Sequence, residues 1–151
     1  MLANLKITEY LEKAAAGTAV PGGGSVAALN ASLAAGLTEM VANLTIGKKG
    51  YEAVEEEMND IAGKATELRK KLTAAIDRDA EAYSEVMAAF KFARATDQEK
   101  EVRKLEIQKA FKHAALVPME VANHAVKVID LAGRAVESGN KNAVTDGLVA
   151  A

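Results

Sequence analysis

Between residues 54 and 90 the chain places an apolar side chain every three or four positions: Val54, Met58, Ile61, Ala65, Leu68, Leu72, Ala75, then Tyr83, Val86 and Phe90. A strand would repeat at two. Alternating steps of three and four keep these residues on one helix face, so the pattern predicts a long core-facing helix over about residues 52–92. The stripe has one gap, at position 79, where the residue is Asp79.

That gap is the most informative local feature. A carboxylate in an apolar seam is costly unless it is paired or hydrogen-bonded. Breaks in local consistency concentrate at functional sites. One reading is therefore a catalytic acid or base, and the other a structural Asp satisfied by a hydroxyl or a backbone N–H. Asp77 lies about 200° away around the helix and should face elsewhere. Tyr83, one turn on, could share the surroundings of Asp79.

The rest of the chain also reads as helix. Half of its 151 residues are hydrophobic, yet it has three Phe, three Tyr and no Trp. A core of Ala, Leu, Val, Ile and Met suits closely packed helices better than sheets. A first helix is expected over about residues 4–16, closed by Gly17, followed by a linker over 18–24. Ser25 reads as the N-cap of a second helix running to about residue 46. Gly47 then fits the C′ position, with Lys48 and Lys49 suited to the helix C-terminal dipole. Thr96 followed by Glu99 forms a capping box, opening a helix to about Leu116. Pro118 then kinks that helix or begins another. Gly139 in "SGN" marks a stop, and Thr145 is the expected N-cap of a last short helix. The length fits a single domain spanning 1–151.

Several function classes find no support. A net charge of −2 argues against nucleic-acid binding by bulk electrostatics. With no Cys, disulfides, thiolate metal sites and Cys nucleophiles are excluded. His113 and His124 are not at metal-ligand spacing, so no metal site is expected. The alanine-rich stretch over 25–46 is long enough to span a bilayer. It contains Asn30, Ser32, Thr38, Glu39 and Asn43, and reads instead as a buried central helix. The N-terminus lacks a basic-then-apolar signal pattern, which makes the cytoplasm the expected location.

One stretch remains: "VPGGGSVAAL", residues 20–29. A plain turn rarely needs three consecutive glycines, because each loses backbone entropy on folding. The alternative is close backbone approach to a ligand. Gly22, Gly23 and Gly24 would present N–H groups beside a helix N-terminus, a site for a carboxylate or a polarised carbonyl.

Taken together, "PGGGSVAALNASLAAGLTEMVANLTIGKKGY", "DRDAEAYSEVMAAF", "IQKAFKHAALVPMEVA" and "SGNKNAVTDGLVAA" resemble the formiminotetrahydrofolate cyclodeaminase family, which includes methenyltetrahydrofolate cyclohydrolases. The resemblance covers nearly the whole chain. It implies an all-α, up-and-down helical bundle with long antiparallel helices that forms a homodimer and binds a folate, with no nucleic-acid or membrane partner. It places the family's catalytic carboxylates at Asp79 and Asp77, with Asp79 the better candidate. Gly22, Gly23, Gly24, Ser25, Asn43, Lys48, Lys49 and Tyr83 match substrate-site elements. Family domains usually continue with more helix beyond "TDGLVAA", so this chain is expected to lack those C-terminal helices. The implied reaction closes 5-formiminotetrahydrofolate to 5,10-methenyltetrahydrofolate with loss of ammonia; the alternative is hydrolysis of the methenyl bridge. Both need proton transfer and no metal or redox cofactor. A non-catalytic oligomerisation or binding module is the competing class.

Overall fold

The computed structural model describes residues 1–151 and contains five α-helices and no strand, an all-α helical bundle. The helices are α1 (Ile7–Ala15), α2 (Gly23–Asn43), α3 (Glu55–Ala89), α4 (Asp97–Ser138) and α5 (Val144–Ala150). Short 3-10 turns occupy Leu2–Asn4, Glu52–Val54 and Lys141–Ala143. Two compact units are present: residues 1–27 with 74–121, and residues 28–73 with 122–151.

In the first unit, α1 is shorter than the expected 4–16 helix, because the chain first forms the separate Leu2–Asn4 turn. Tyr10 is the one buried residue of α1. The stripe of α3 continues through Ala75, Ile76, Ala82, Val86 and Ala89, all buried. Tyr83 and Phe90, expected on that stripe, are 40% and 44% exposed. Adjacent positions on a helix point about 100° apart, so at 82/83 and at 89/90 one residue of each pair turns further inward than the other. Here the small Ala82 and Ala89 do so. Ala110 and the half-buried Ile107 and Ala114 of α4 pack against Val86 and Ala89.

The predicted capping box opens α4: the Thr96 hydroxyl accepts the Glu99 N–H at 3.2 Å, and Glu99 accepts the Thr96 N–H at 2.9 Å. These backbone bonds, with a further one from Ala95, hold the Glu99 carboxyl below its usual range. The helix does not stop near Leu116; it runs on through Pro118 to Ser138. A proline removes one backbone N–H donor. Buried Val117 and Val121 on either side keep that stretch packed.

In the second unit, α2 buries Ala28, Ser32, Ala35, Thr38, Val41 and Ala42. By length and composition α2 could cross a membrane. The structure gives it a polar seam: the Ser32 hydroxyl lies 2.7 Å from the Thr73 hydroxyl, and Glu39 accepts from Arg69 of α3 at 2.8 Å. On α3, Met58, Ile61, Ala65, Leu68 and Leu72 face inward as expected, joined by Val128, Leu131, Ala132 and Ala135 of α4. α2 ends at Asn43, short of the expected residue 46, so Gly47, with a left-handed φ of +70°, sits in the turn beyond the helix and not at its C′ position. Thr145 is not an N-cap. The turn ahead of α5 is capped by Asn140, whose side chain accepts the Asn142 N–H.

Candidate active site

The first unit explains one of the three glycines. α2 begins at Gly23, so Ser25 lies inside its first turn and is not the N-cap that the sequence suggested. The cap carbonyl is that of Gly22, which accepts the Val26 N–H at 3.1 Å. Ser25 is fully buried, and its hydroxyl serves a long-range purpose. Its Oγ lies 2.9 Å from the Ile76 carbonyl oxygen and 2.9 Å from Oδ2 of Asp79.

Asp79 is half-buried, and its carboxylate rests against the Cα of Gly24. A Cβ on Gly24 would overlap Oδ1 and lie 2.6 Å from Cγ. Only glycine leaves that space. A Cβ on Gly23 would meet nothing within 4 Å, and one on Gly22 would meet only the Ala19 carbonyl, at 3.3 Å. A close approach to backbone is found at Gly24 alone of the three glycines. The group that approaches is the protein's own carboxylate.

This arrangement is electrostatically sound. The first N–H groups of a helix have no intrahelical partner, and the helix dipole favours an anion there. Asp79, the breach in the α3 stripe, is compensated by the start of α2 and by one hydroxyl.

Neighbouring side chains of α3 point elsewhere. Asp77 accepts the backbone N–H groups of Leu2 and of Ala3, the second at 3.3 Å, and so anchors the N-terminal turn. Arg78 pairs with Glu120 of α4 at 2.7 Å. Asp77 also lines an open cleft of about 680 Å³ with Leu2, Leu5, Lys13, Ala80 and Ser84. Tyr83 is exposed and stands outside the Ser25–Asp79 group.

Sequence reasoning missed Tyr10. It is 5% exposed, and its buried hydroxyl has no hydrogen-bond partner. Burial, and then the Asp79 and Asp77 carboxylates, push its phenol above the ordinary value. The available signal was an aromatic in the middle of a short, otherwise exposed amphipathic helix.

Lys48, Lys49 and Asn43 belong to the second unit, where Lys48 forms part of a different cluster. Its ammonium donates to Oδ1 of buried Asn140 at 2.6 Å and lies 5.5 Å from the centre of the Tyr51 ring. Asn140 also donates from its side chain to the Leu44 carbonyl and from its backbone to the Thr45 hydroxyl. The Tyr51 hydroxyl accepts the Lys141 N–H at 3.1 Å. Gly139 is close-packed there, since a Cβ would lie 3.2 Å from the Thr45 hydroxyl. These bonds fasten "LTIGKKGY" to "GNK". Lys49 and Asn43 are exposed.

The comparisons with known proteins decide the family. The formiminotransferase-cyclodeaminase family matches residues 6–151. The chain belongs to this family. Among its curated relatives, the methenyltetrahydrofolate cyclohydrolase of Methylorubrum extorquens is 41% identical over 150 residues, covering 99% of this chain and 72% of the relative. The formimidoyltransferase-cyclodeaminase of Rattus norvegicus is 28% identical over the same share of this chain, which spans 28% of that longer protein. A crystal structure of formiminotetrahydrofolate cyclodeaminase from Thermotoga maritima superposes with a TM-score of 0.86 at 37% identity, covering 99% of this chain and 71% of that one. In this family member the elements brought together are Gly24, Ser25 and Asp79, and burial together with the Asp79 and Asp77 carboxylates raises the Tyr10 phenol.

Proposed function

We propose that this chain is a tetrahydrofolate one-carbon enzyme that cyclises 5-formiminotetrahydrofolate to 5,10-methenyltetrahydrofolate and releases ammonia. The observation that carries this reading is the Asp79 carboxylate seated on Gly24 and bonded to Ser25 in a chain of this family. In the reaction, N10 forms a bond to the formimino carbon and loses a proton. The former imino nitrogen takes up protons and leaves as ammonia. Asp79 accepts the first proton and returns one to the leaving nitrogen, so the same carboxylate acts as base and then acid.

Ser25 suits both states of that carboxylate. Its hydroxyl has one hydrogen and two acceptors at equal distance, the Ile76 carbonyl and Asp79. When Asp79 is ionised, the Ser25 hydrogen turns to it. When Asp79 is protonated, it donates to Ser25 Oγ, whose hydrogen turns to the Ile76 carbonyl. A hydroxyl can both donate and accept, and this hydroxyl satisfies the carboxyl group before and after proton transfer. Asp77 is occupied by the N-terminal turn and receives a supporting role.

Hydrolysis of 5,10-methenyltetrahydrofolate is the second reading, favoured by the 41% identity to a protein of that name. There Asp79 would stabilise the methenyl cation and orient water. The test is to supply both folates to the purified protein and follow near-ultraviolet absorbance of the methenyl compound. Asp79→Asn should lower turnover by about 10²–10⁴-fold. Inactivity of the parent toward both folates overturns the functional reading. Near-parental turnover by Asp79→Asn overturns the role of Asp79.

The same proposal places the protein in the cytoplasm as a homodimer that needs no cofactor. Support for association comes from α2, which leaves Leu33, Met40 and Leu44 at 59%, 36% and 49% exposure. Such outward apolar side chains on the central helix suit a second copy as the covering surface. Light scattering at micromolar concentration should return twice the monomer mass; the monomer mass alone would refute the dimer.

A further inference from the structure

We propose that the Tyr10 hydroxyl is a substrate hydrogen-bond donor of the Asp79 site, reserved in the free protein for an acceptor atom of the bound folate. The inference rests on the folate reading above and extends it to a residue on α1.

Three observations carry it. Tyr10 is the one buried residue of α1, so the helix is held to the unit by this ring. Its hydroxyl is buried and unpartnered, the only buried side-chain polar atom so placed. Buried donors are almost always satisfied, and an orphan is destabilising. Phenylalanine would fill the same volume without that cost. The hydroxyl also lies within electrostatic reach of both Asp79 and Asp77.

The direction of the phenol's shift fits donation. Burial and the two carboxylates disfavour the phenolate, so the oxygen keeps its hydrogen throughout the neutral range. Tyr10 can thus offer a hydrogen bond and cannot act as a base. In a site whose carboxylate takes and returns protons, a neutral donor orients the substrate without competing for the proton. The acceptor class is a carbonyl oxygen or an unprotonated ring or imino nitrogen, groups that a folate presents.

Tyr10→Phe tests the assignment. Its unliganded melting temperature should equal or exceed that of the parent, because an unpaired polar atom has been removed. Its kcat/KM for the accepted folate should fall roughly 10- to 100-fold, the worth of one hydrogen bond to a polar or charged acceptor. Tetrahydrofolate affinity, measured by calorimetry, should fall with it. Unchanged kcat/KM with an active parent overturns the Tyr10 assignment and leaves the functional reading standing. A Tyr10→Phe protein that melts well below the parent, or fails to fold, also overturns it, because the hydroxyl would then be serving the fold. Inactivity of the parent toward both folates removes the functional reading, and the assignment with it.

Discussion

Gly24→Ala separates the proposed chemistry of this site from its stability, because the three atoms nearest the added methyl all belong to Asp79, the carboxylate proposed to react. The new Cβ would overlap Oδ1 of Asp79 and lie 2.6 Å from Cγ and 2.9 Å from Oδ2. Carbon atoms in contact sit about 3.5–4.0 Å apart, so the carboxyl carbon must retreat by about 1 Å. That shift draws Oδ2 away from the Ser25 hydroxyl, now at 2.9 Å. A misplacement of about 1 Å at a reacting group can cost roughly 10²-fold in rate. The stability change is smaller because two effects oppose. Alanine is favoured over glycine inside a helix by about 0.5–1 kcal/mol. Losing a hydrogen bond to a charged acceptor costs about 1.5–3 kcal/mol. The net loss is then about 0.5–2.5 kcal/mol, or a fall in Tm of about 1–10 °C for a chain of this size. Turnover is read from methenyl absorbance and stability from circular dichroism on the same samples. Gly23→Ala is the internal control. Its Cβ meets nothing within 4 Å and its φ is not left-handed, so it should keep parental turnover and equal or higher stability. Parental turnover by Gly24→Ala, from an active parent, would refute the claim that glycine is needed there to seat Asp79.

Two further predictions concern the second unit. The Arg69 hydrogen bond holds the Glu39 carboxyl below its ordinary value of 4.5, with smaller help from Thr66 and against the effect of burial. A depressed carboxyl pKa contributes stability above the unfolded value, which is lost as pH falls through the folded one. Glu39→Gln should therefore lower stability at pH 7 by about 0.2–1 kcal/mol, since Arg69 is partly solvated, and the deficit should shrink below pH 4.5. A deficit that is constant with pH would show that the ion pair is not its cause. Asn140→Ala strands the Leu44 carbonyl and the Lys48 ammonium. It should cost about 2–3 kcal/mol, and an unchanged Tm would contradict the fastening role of this residue.

Features that depend on near neighbours were legible in the sequence. The Thr96–Glu99 box involves a few residues and stands where the pattern placed it, while Gly47 is left-handed but lies beyond the end of α2 at Asn43. Asp79 was legible because a polar residue in an apolar stripe is conspicuous on one helix alone. Ser25 was misread because a serine after glycines ahead of an apolar run has the local form of an N-cap. Its true partners, Ile76 and Asp79, are 51 and 54 residues away. Of the two readings of Pro118, a new helix start does not hold, because its missing donor is one local loss within a helix that runs on for many turns. The local signal at Tyr10, an aromatic in a short and otherwise exposed helix, points to burial and not to a role. Its unpartnered hydroxyl and its nearness to Asp77 and Asp79 exist only once α1 and α3 are brought together.

The geometry at residues 77–79 shows how a half-exposed carboxylate can be held to one position. Three consecutive residues on a helix point about 100° apart, so they face three directions. Asp77 ties α3 to the Leu2–Asn4 turn, Arg78 ties it to Glu120 of α4, and Asp79 reaches the first turn of α2. The helix is thereby held on the two sides that do not carry the proposed chemistry. With α3 fixed, the short Asp side chain has few rotamers, and Gly24 and Ser25 determine which one is occupied. Glutamate would bring the same charge, but its extra methylene has no room, because the carboxylate already rests on the Gly24 Cα. The glycine run and the aspartate are therefore two halves of one device. The missing Cβ at position 24 makes the space, and the carboxylate at position 79, at the breach in the apolar stripe, fills it.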